Sequence, residues 1–122
     1  MTRLPFVLAL SLGCASVGEV PLDTAFALQF GETVTVAATD LTLTFTDVAD
    51  SRCPVNITCV WQGEVTVHLL VNGDPVSVKA PGTASLAGYV IEVREVNPYP
   101  SDPPPQKSRY SAVIEVSRGA TG

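Results

Sequence analysis

From Phe26 onward, apolar and polar residues alternate with a period of two. That period marks strands with one buried and one solvated face. Phe26, Leu28 and Phe30 share one face, and Gly31-Glu32 then reads as a turn. Val34 and Val36 follow, with Thr39-Asp40 as a second turn signal. Leu41, Leu43 and Phe45 alternate with Thr42, Thr44 and Thr46. The longest candidate runs from Trp61 to Val71, with Trp61, Val65, Val67, Leu69 and Val71 inward and Gln62, Glu64, Thr66 and His68 outward. Asn72-Gly73-Asp74 is a strong hairpin turn, because Asn and Gly tolerate positive φ. Val76 and Val78 return beyond it, and 80–88 reads as a small-residue loop around Pro81-Gly82. Tyr89, Ile91 and Val93 begin another strand, and Tyr110, Ala112, Ile114 and Val116 form the last. No window outside the N-terminus has a helical period. About seven short strands at near-regular spacing predict an all-β domain, a single antiparallel sandwich or small barrel over 25–118. Residues 15–24 read as a tether and 119–122 as a disordered tail.

Composition narrows the classes of function. The chain has 122 residues, 46% hydrophobic and 16% charged, which suits one packed domain. Its net charge is −5. That gives nucleic-acid binding no electrostatic footing and provides no basic patch for anionic lipid.

The first residues read as an export signal. Arg3 precedes an apolar run from Leu4 to Leu12, followed by Gly13-Cys14-Ala15. The run is too short to span a bilayer as a mature helix. Leu10-Ser11-Leu12-Gly13-Cys14 resembles a bacterial lipoprotein signal, with Gly13 at the small position and Ser11 departing from the usual branched aliphatic residue. The resemblance implies a leader over 1–14, lipid on Cys14 and attachment to a membrane. Cleavage after Ala15, which discards Cys14, and an unprocessed N-terminus are the alternatives. Either export route leaves Cys53 and Cys59 as a pair, and thiols in an oxidising compartment tend to join. A disulfide around so short a loop is worth about 2–3 kcal/mol.

The most distinctive stretch surrounds these cysteines. Asp50, Ser51, Arg52, Cys53 and Pro54, a short insert, then Cys59, Val60, Trp61 and Gly63 form the pattern Asp-Ser-Arg-Cys-Pro…Cys-Val-Trp-x-Gly. Thr44 to Val48 precede it, and Asn97 to Pro100 supply an Asn-Pro-Tyr-Pro segment. The pattern resembles that of small bacterial exported or lipoprotein β-domains of unknown function. It implies location and fold, and no activity. Within it, Trp61 is expected to pack against the disulfide or the core, and Gly63 to admit a close neighbour or mark a bulge.

Candidate chemistry is sparse. His68 is the only histidine and sits on a polar strand face with no motif around it. Zinc on Cys53, Cys59 and His68 lacks a fourth ligand and the usual spacing. Asp40, Asp47 and Asp50 match no calcium loop; Asp47 and Asp50 suit turn capping, with Arg52 as an ion-pair partner. The carboxylate pairs Glu92/Glu95 and Glu64/Glu115 read as solvated strand faces. Asn56-Ile57-Thr58 is a glycosylation sequon, read as chance beside a bacterial leader. The loop from Asn97 to Lys107 carries five of the ten prolines. Its preformed backbone and Tyr99 suit partner contact, and the alternative is a stiff crossover that blocks edge pairing.

The sequence therefore predicts a non-catalytic, exported or lipid-anchored envelope domain with no cofactor. Its candidate contact surface for a protein or glycan is the disulfide loop 51–58, the proline-rich loop, or both, with Tyr99, Pro103, Pro104, Pro105, Arg52 and Asn56 as contact residues. A metal module or small hydrolase built on Asp47, Asp50, Arg52 and His68 is the rival. A structural envelope subunit, pairing through an edge strand such as 26–30, is the third reading.

Overall fold

A computed structural model describes residues 18–119. The expected leader and Cys14 lie outside the described residues. Nine strands form: β1 (Gly18–Val20), β2 (Phe26–Gln29), β3 (Thr33–Val36), β4 (Thr42–Asp50), β5 (Val65–Val71), β6 (Asp74–Ala80), β7 (Gly82–Leu86), β8 (Tyr89–Asn97) and β9 (Ser111–Arg118). They make a sandwich of two sheets, β1-β3-β4-β5-β6 and β2-β9-β8-β7, not closed into a barrel. Every pairing is antiparallel except β1 with β3.

The alternation read from sequence builds the core. Leu43, Phe45, Val67, Leu69, Ile91, Val93, Ile114 and Val116 project between the sheets and are almost wholly buried. Thr33 and Thr44 face outward as cross-strand partners and share a hydrogen bond of 2.9 Å. Asn72 and Gly73 both take positive φ in the β5–β6 turn, as their residue types require. The chain changes sheet at Phe30, whose N–H reaches the Tyr110 carbonyl (3.0 Å), while that of Gly31 reaches the Phe45 carbonyl of the other sheet (2.8 Å).

Three segments differ from the sequence reading. Gly18–Val20, expected within a tether, pairs parallel with Val34–Val36 as β1. Three residues are too few for a periodic signal, so only the partner edge makes them a strand. The segment expected as a small-residue loop contains β7, where Ala84 and Leu86 turn inward and Thr83 and Ser85 outward. Small side chains concealed that alternation. Gly119, expected in a disordered tail, donates to the Gly88 carbonyl at 2.8 Å.

Two β-bulges lie toward one end of the sandwich. In β4 the pairing with β5 shifts between Phe45 and Asp47, and Thr46 turns its hydroxyl to the His68 carbonyl (3.0 Å). The extra residue moves the inward face from odd to even positions, so Val48 is buried and Asp50 follows it inward. β8 shifts likewise between Val93 and Glu95, which buries Val96. Adjacent polar pairs, Thr46-Asp47 and Arg94-Glu95, are the sequence trace of both bulges.

Ile114 is fully buried at the centre of β9. Ile114→Ala is expected to cost about 2–5 kcal/mol through lost burial and a residual cavity. Denaturant unfolding should show a lower midpoint with an unchanged m-value.

Candidate functional site

The bulge in β4 delivers an aspartate to the mouth of the sandwich. The side chains of Asp50 and Arg52 are only 6% and 9% exposed. Asp50 Oδ1 accepts from Arg52 Nε (2.8 Å) and from the Arg52 backbone N–H (3.1 Å). Its Oδ2 accepts from Arg52 Nη2 (2.8 Å) and from the Tyr110 hydroxyl of the other sheet (2.7 Å). Arg52 then donates Nη1 to the Val96 carbonyl (2.9 Å) and Nη2 to the Pro98 carbonyl (3.0 Å). The Tyr99 ring covers its guanidinium at 4.2 Å. This clasp ties β4 to the start of the proline-rich loop.

Beyond the clasp, β4 and β5 continue as an arm. Ser51 N–H donates to the Glu64 carbonyl (2.8 Å), and Cys53 N–H to that of Gln62 (2.9 Å). Gly63 takes φ +72°, and a Cβ there would lie 1.8 Å from the Ser51 carbonyl oxygen. Only glycine permits that approach. The Cys53–Cys59 disulfide closes the tip, with Cα atoms 5.9 Å apart. The arm lies along the proline-rich loop. Val55 N–H donates to the Pro100 carbonyl (3.0 Å). Asn56 accepts from Asp102 N–H (3.0 Å) and donates to its carbonyl (3.1 Å).

The structure thus brings together Arg52, Asn56, Tyr99 and the loop carrying Pro103, Pro104 and Pro105. Arg52 and Asn56 fasten the two loops to each other, so their polar groups are engaged within the chain, although Asn56 is exposed. Tyr99, Pro103 and Pro104 remain exposed, and Pro105 is half-buried. Trp61 reverses its expected role: it is 76% exposed and packs neither on the core nor within a strand. The alternation that puts Val65 inward leaves the sandwich before reaching Trp61, so no facing sheet exists there to cover it. Val55 and Ile57 lie on the disulfide loop 51–58 that was expected to make contact, whereas Val60 and Trp61, just beyond it, were not expected to do so. Their signal was an apolar, charge-free loop, 53–63, between an Arg and a Glu.

The rival constellation divides into two unconnected groups. Asp50 and Arg52 saturate each other. Asp47 and His68 are cross-strand partners on the outer face, and His68 is paired in turn with Ser77 on β6. His68 Nδ1 lies 2.8 Å from Ser77 Oγ. The order Ser77, His68, Asp47 mimics a nucleophile–base–acid series. However, Asp47 instead accepts from Lys107 Nζ (2.7 Å) and from Val48 N–H (2.8 Å). Those bonds hold its carboxyl below the ordinary value. The row lies on an open sheet surface rather than in a cleft. Zinc on the thiols is excluded by the disulfide, and Asp40 lies in the β3–β4 turn at the opposite end from Asp50. Among the described residues, no three His, Cys, Asp or Glu side chains converge on one point. Of the carboxylate pairs, Glu92 and Glu115 both engage Arg94, and Glu64 pairs with Lys79. β2 is a sheet edge as the assembly reading supposed, but it has four residues, and the Glu32 carboxylate accepts from Gln29 N–H (2.9 Å) at its end.

The clasp sets the protonation of its members. Burial alone would raise the Asp50 carboxyl, but hydrogen bonds from Arg52 and Tyr110 outweigh it and hold it below its ordinary 3.8. Burial and the Asp50 carboxylate push the Tyr110 hydroxyl up from 10.0 to about 12. Shallow cavities of about 150 Å³ and about 220 Å³ flank the clasp, the first against Arg52 and Tyr99, the second against Asp50 and Tyr110. Comparison of the chain with family models, curated proteins and solved structures finds no match.

Asp50→Ala leaves a buried guanidinium without its carboxylate and should cost about 3–5 kcal/mol. In the intact protein, the unfolded carboxyl binds a proton at higher pH than the folded one. The Asp50 contribution is therefore complete well above the ordinary 3.8 and should fade as pH falls through the lowered folded value. Tyr110 acts at the other extreme. Its unfolded phenol ionises first, so stability should fall as pH rises from 10 through about 12. Thermal melts across pH should show both limbs, and Tyr110→Phe should remove the tyrosine part of the alkaline one. Gly63→Ala should cost about 2–4 kcal/mol through left-handed strain and the clash with Ser51, measured by chemical denaturation.

Proposed function

We propose that this protein is a non-catalytic binding domain of the bacterial cell envelope, exported and held by lipid on Cys14. Its contact surface is the disulfide-tipped arm together with the exposed part of the proline-rich loop. One observation carries the reading. Among the described residues, the exposed large apolar side chains are Val55, Ile57, Val60, Trp61 and Tyr99, and all five belong to these two loops. Apolar side chains gathered at one place on a monomer mark interaction sites. Trp and Tyr provide large contact area at small conformational cost.

The surface is also preorganised. The disulfide, the clasp and the Asn56–Asp102 bonds restrain it before any partner arrives, which lowers the ordering cost of association. The disulfide supports an oxidising compartment. The outer-face row Ser77-His68-Asp47 has no enclosing cavity and no aligned acid, which favours binding over catalysis.

Capture from envelope extract on the immobilised protein, read by mass spectrometry, tests the proposal. Val60→Asp and Trp61→Ser should each lose capture while their melting temperatures match the parent, because neither side chain supports the core. Retention of every captured species by both variants would overturn the proposal. Tyr99→Ala tests a separate expectation: it should also lower stability by about 1 kcal/mol, since the ring covers a desolvated guanidinium.

A further inference from the structure

We infer that the arm docks on a lipid bilayer, entering the neutral headgroup region with Val60 and Trp61 foremost. This inference rests on the reading of that surface as the contact surface, and it names the partner.

The first support is charge. The chain carries −5 overall, yet residues 53–63 contain no charged side chain. The charges that flank this segment in the chain are matched, Arg52 by Asp50 and Glu64 by Lys79, and the acidic residue beside it in space is Asp102 of the neighbouring loop. Segment 53–63 itself therefore presents no charge to be stripped of water. It combines branched aliphatic residues with one indole. Trp and Tyr rings are the side chains that settle at the boundary between hydrocarbon and water. The exposure is greatest at Val60 (103%) and Trp61 (76%).

The second support is where the N-terminal chain joins the fold. β1 runs parallel to β3, with Gly18 opposite Val34, and Val34 lies opposite Leu43 of β4. β4 then proceeds from Leu43 to Asp50, toward the arm. The chain thus enters β1 from the side of the sandwich that bears the arm. At about 3.3 Å per residue, that part of β4 overhangs Gly18 by about 20 Å before the arm begins. Only four residue steps separate Gly18 from Cys14, a reach of at most about 14 Å. Were the apolar run kept, six steps from Leu12 would give about 21 Å. An anchor at Cys14 holds the sheet edge closer to the membrane than the overhang of β4, and one at Leu12 holds it at about that distance, before the arm adds its own length. The arm then meets the bilayer whenever this end faces it.

The test uses the full-length chain and phosphatidylcholine vesicles. Trp61 is the only tryptophan, so its emission reads the tip alone, whatever the N-terminus does. On vesicles, the emission should shift to shorter wavelength, lose accessibility to aqueous acrylamide, and be quenched by acyl chains brominated near the glycerol. Val60→Asp should restore the solvated emission while the melting temperature stays unchanged. Vesicle-bound chain with a fully solvated Trp61 would overturn the inference, as would failure to associate with vesicles. If a protein from envelope extract then shields Trp61 instead, the bilayer is wrong and the contact surface stands.

Discussion

A single carboxylate organises the working end of this molecule. Asp50 sits at the mouth of the sandwich, where a charge is only partly hydrated, and four donors converge on its two oxygens. They come from Arg52, two residues along the chain, and from Tyr110 on the opposite sheet. Arg52 spends its remaining donors on carbonyls of the loop after β8. The guanidinium fork suits this task, because it binds a carboxylate in two places and still reaches further acceptors. Removing one member leaves polar groups of the others unpaired in a largely buried site.

The bulge in β4 is the device that makes the clasp. With unbroken alternation, Asp50 would face solvent beside Ala49's neighbours on the outer surface. One extra residue at Thr46 inverts the phase and turns Val48 and Asp50 inward. A bulge at the matching end of β8 brings Val96 into the core, with its carbonyl in reach of Arg52. Both sheets are thus adjusted near one end, and the two long loops are clamped there.

Rigidity and apolarity then combine. A loop that exposes Val55, Ile57, Val60 and Trp61 invites collapse onto itself or onto the nearest core. The disulfide, Gly63 against Ser51, and the paired bonds of Asn56 with Asp102 oppose that collapse. The arm is held out from the sandwich while its backbone polar groups are partly satisfied by the proline-rich loop. The prolines of that loop present carbonyls and lack N–H groups, so it accepts from the arm without offering a free edge.

Local periodicity and residue chemistry govern the part of this protein that is legible along the chain. The alternation from Phe26 to Val116 specified an all-β sandwich or barrel and most of the inward side chains, because a strand's faces follow directly from its pattern of two. Cys53 and Cys59 were legible as a pair, and Asn72-Gly73 as a turn. The tertiary structure decided everything that depends on a facing surface. It put the cysteine loop and the proline-rich loop at the same end, made strands of Gly18–Val20 and Gly82–Leu86 by giving them partner edges, and chose a sandwich over a barrel. It turned Trp61 outward, because the arm runs past the opposite sheet and burial requires something to be buried against. Asp50, Arg52 and Tyr110 were separately visible in the chain, but the distance from Asp50 to Tyr110 is closed only by packing one sheet on the other.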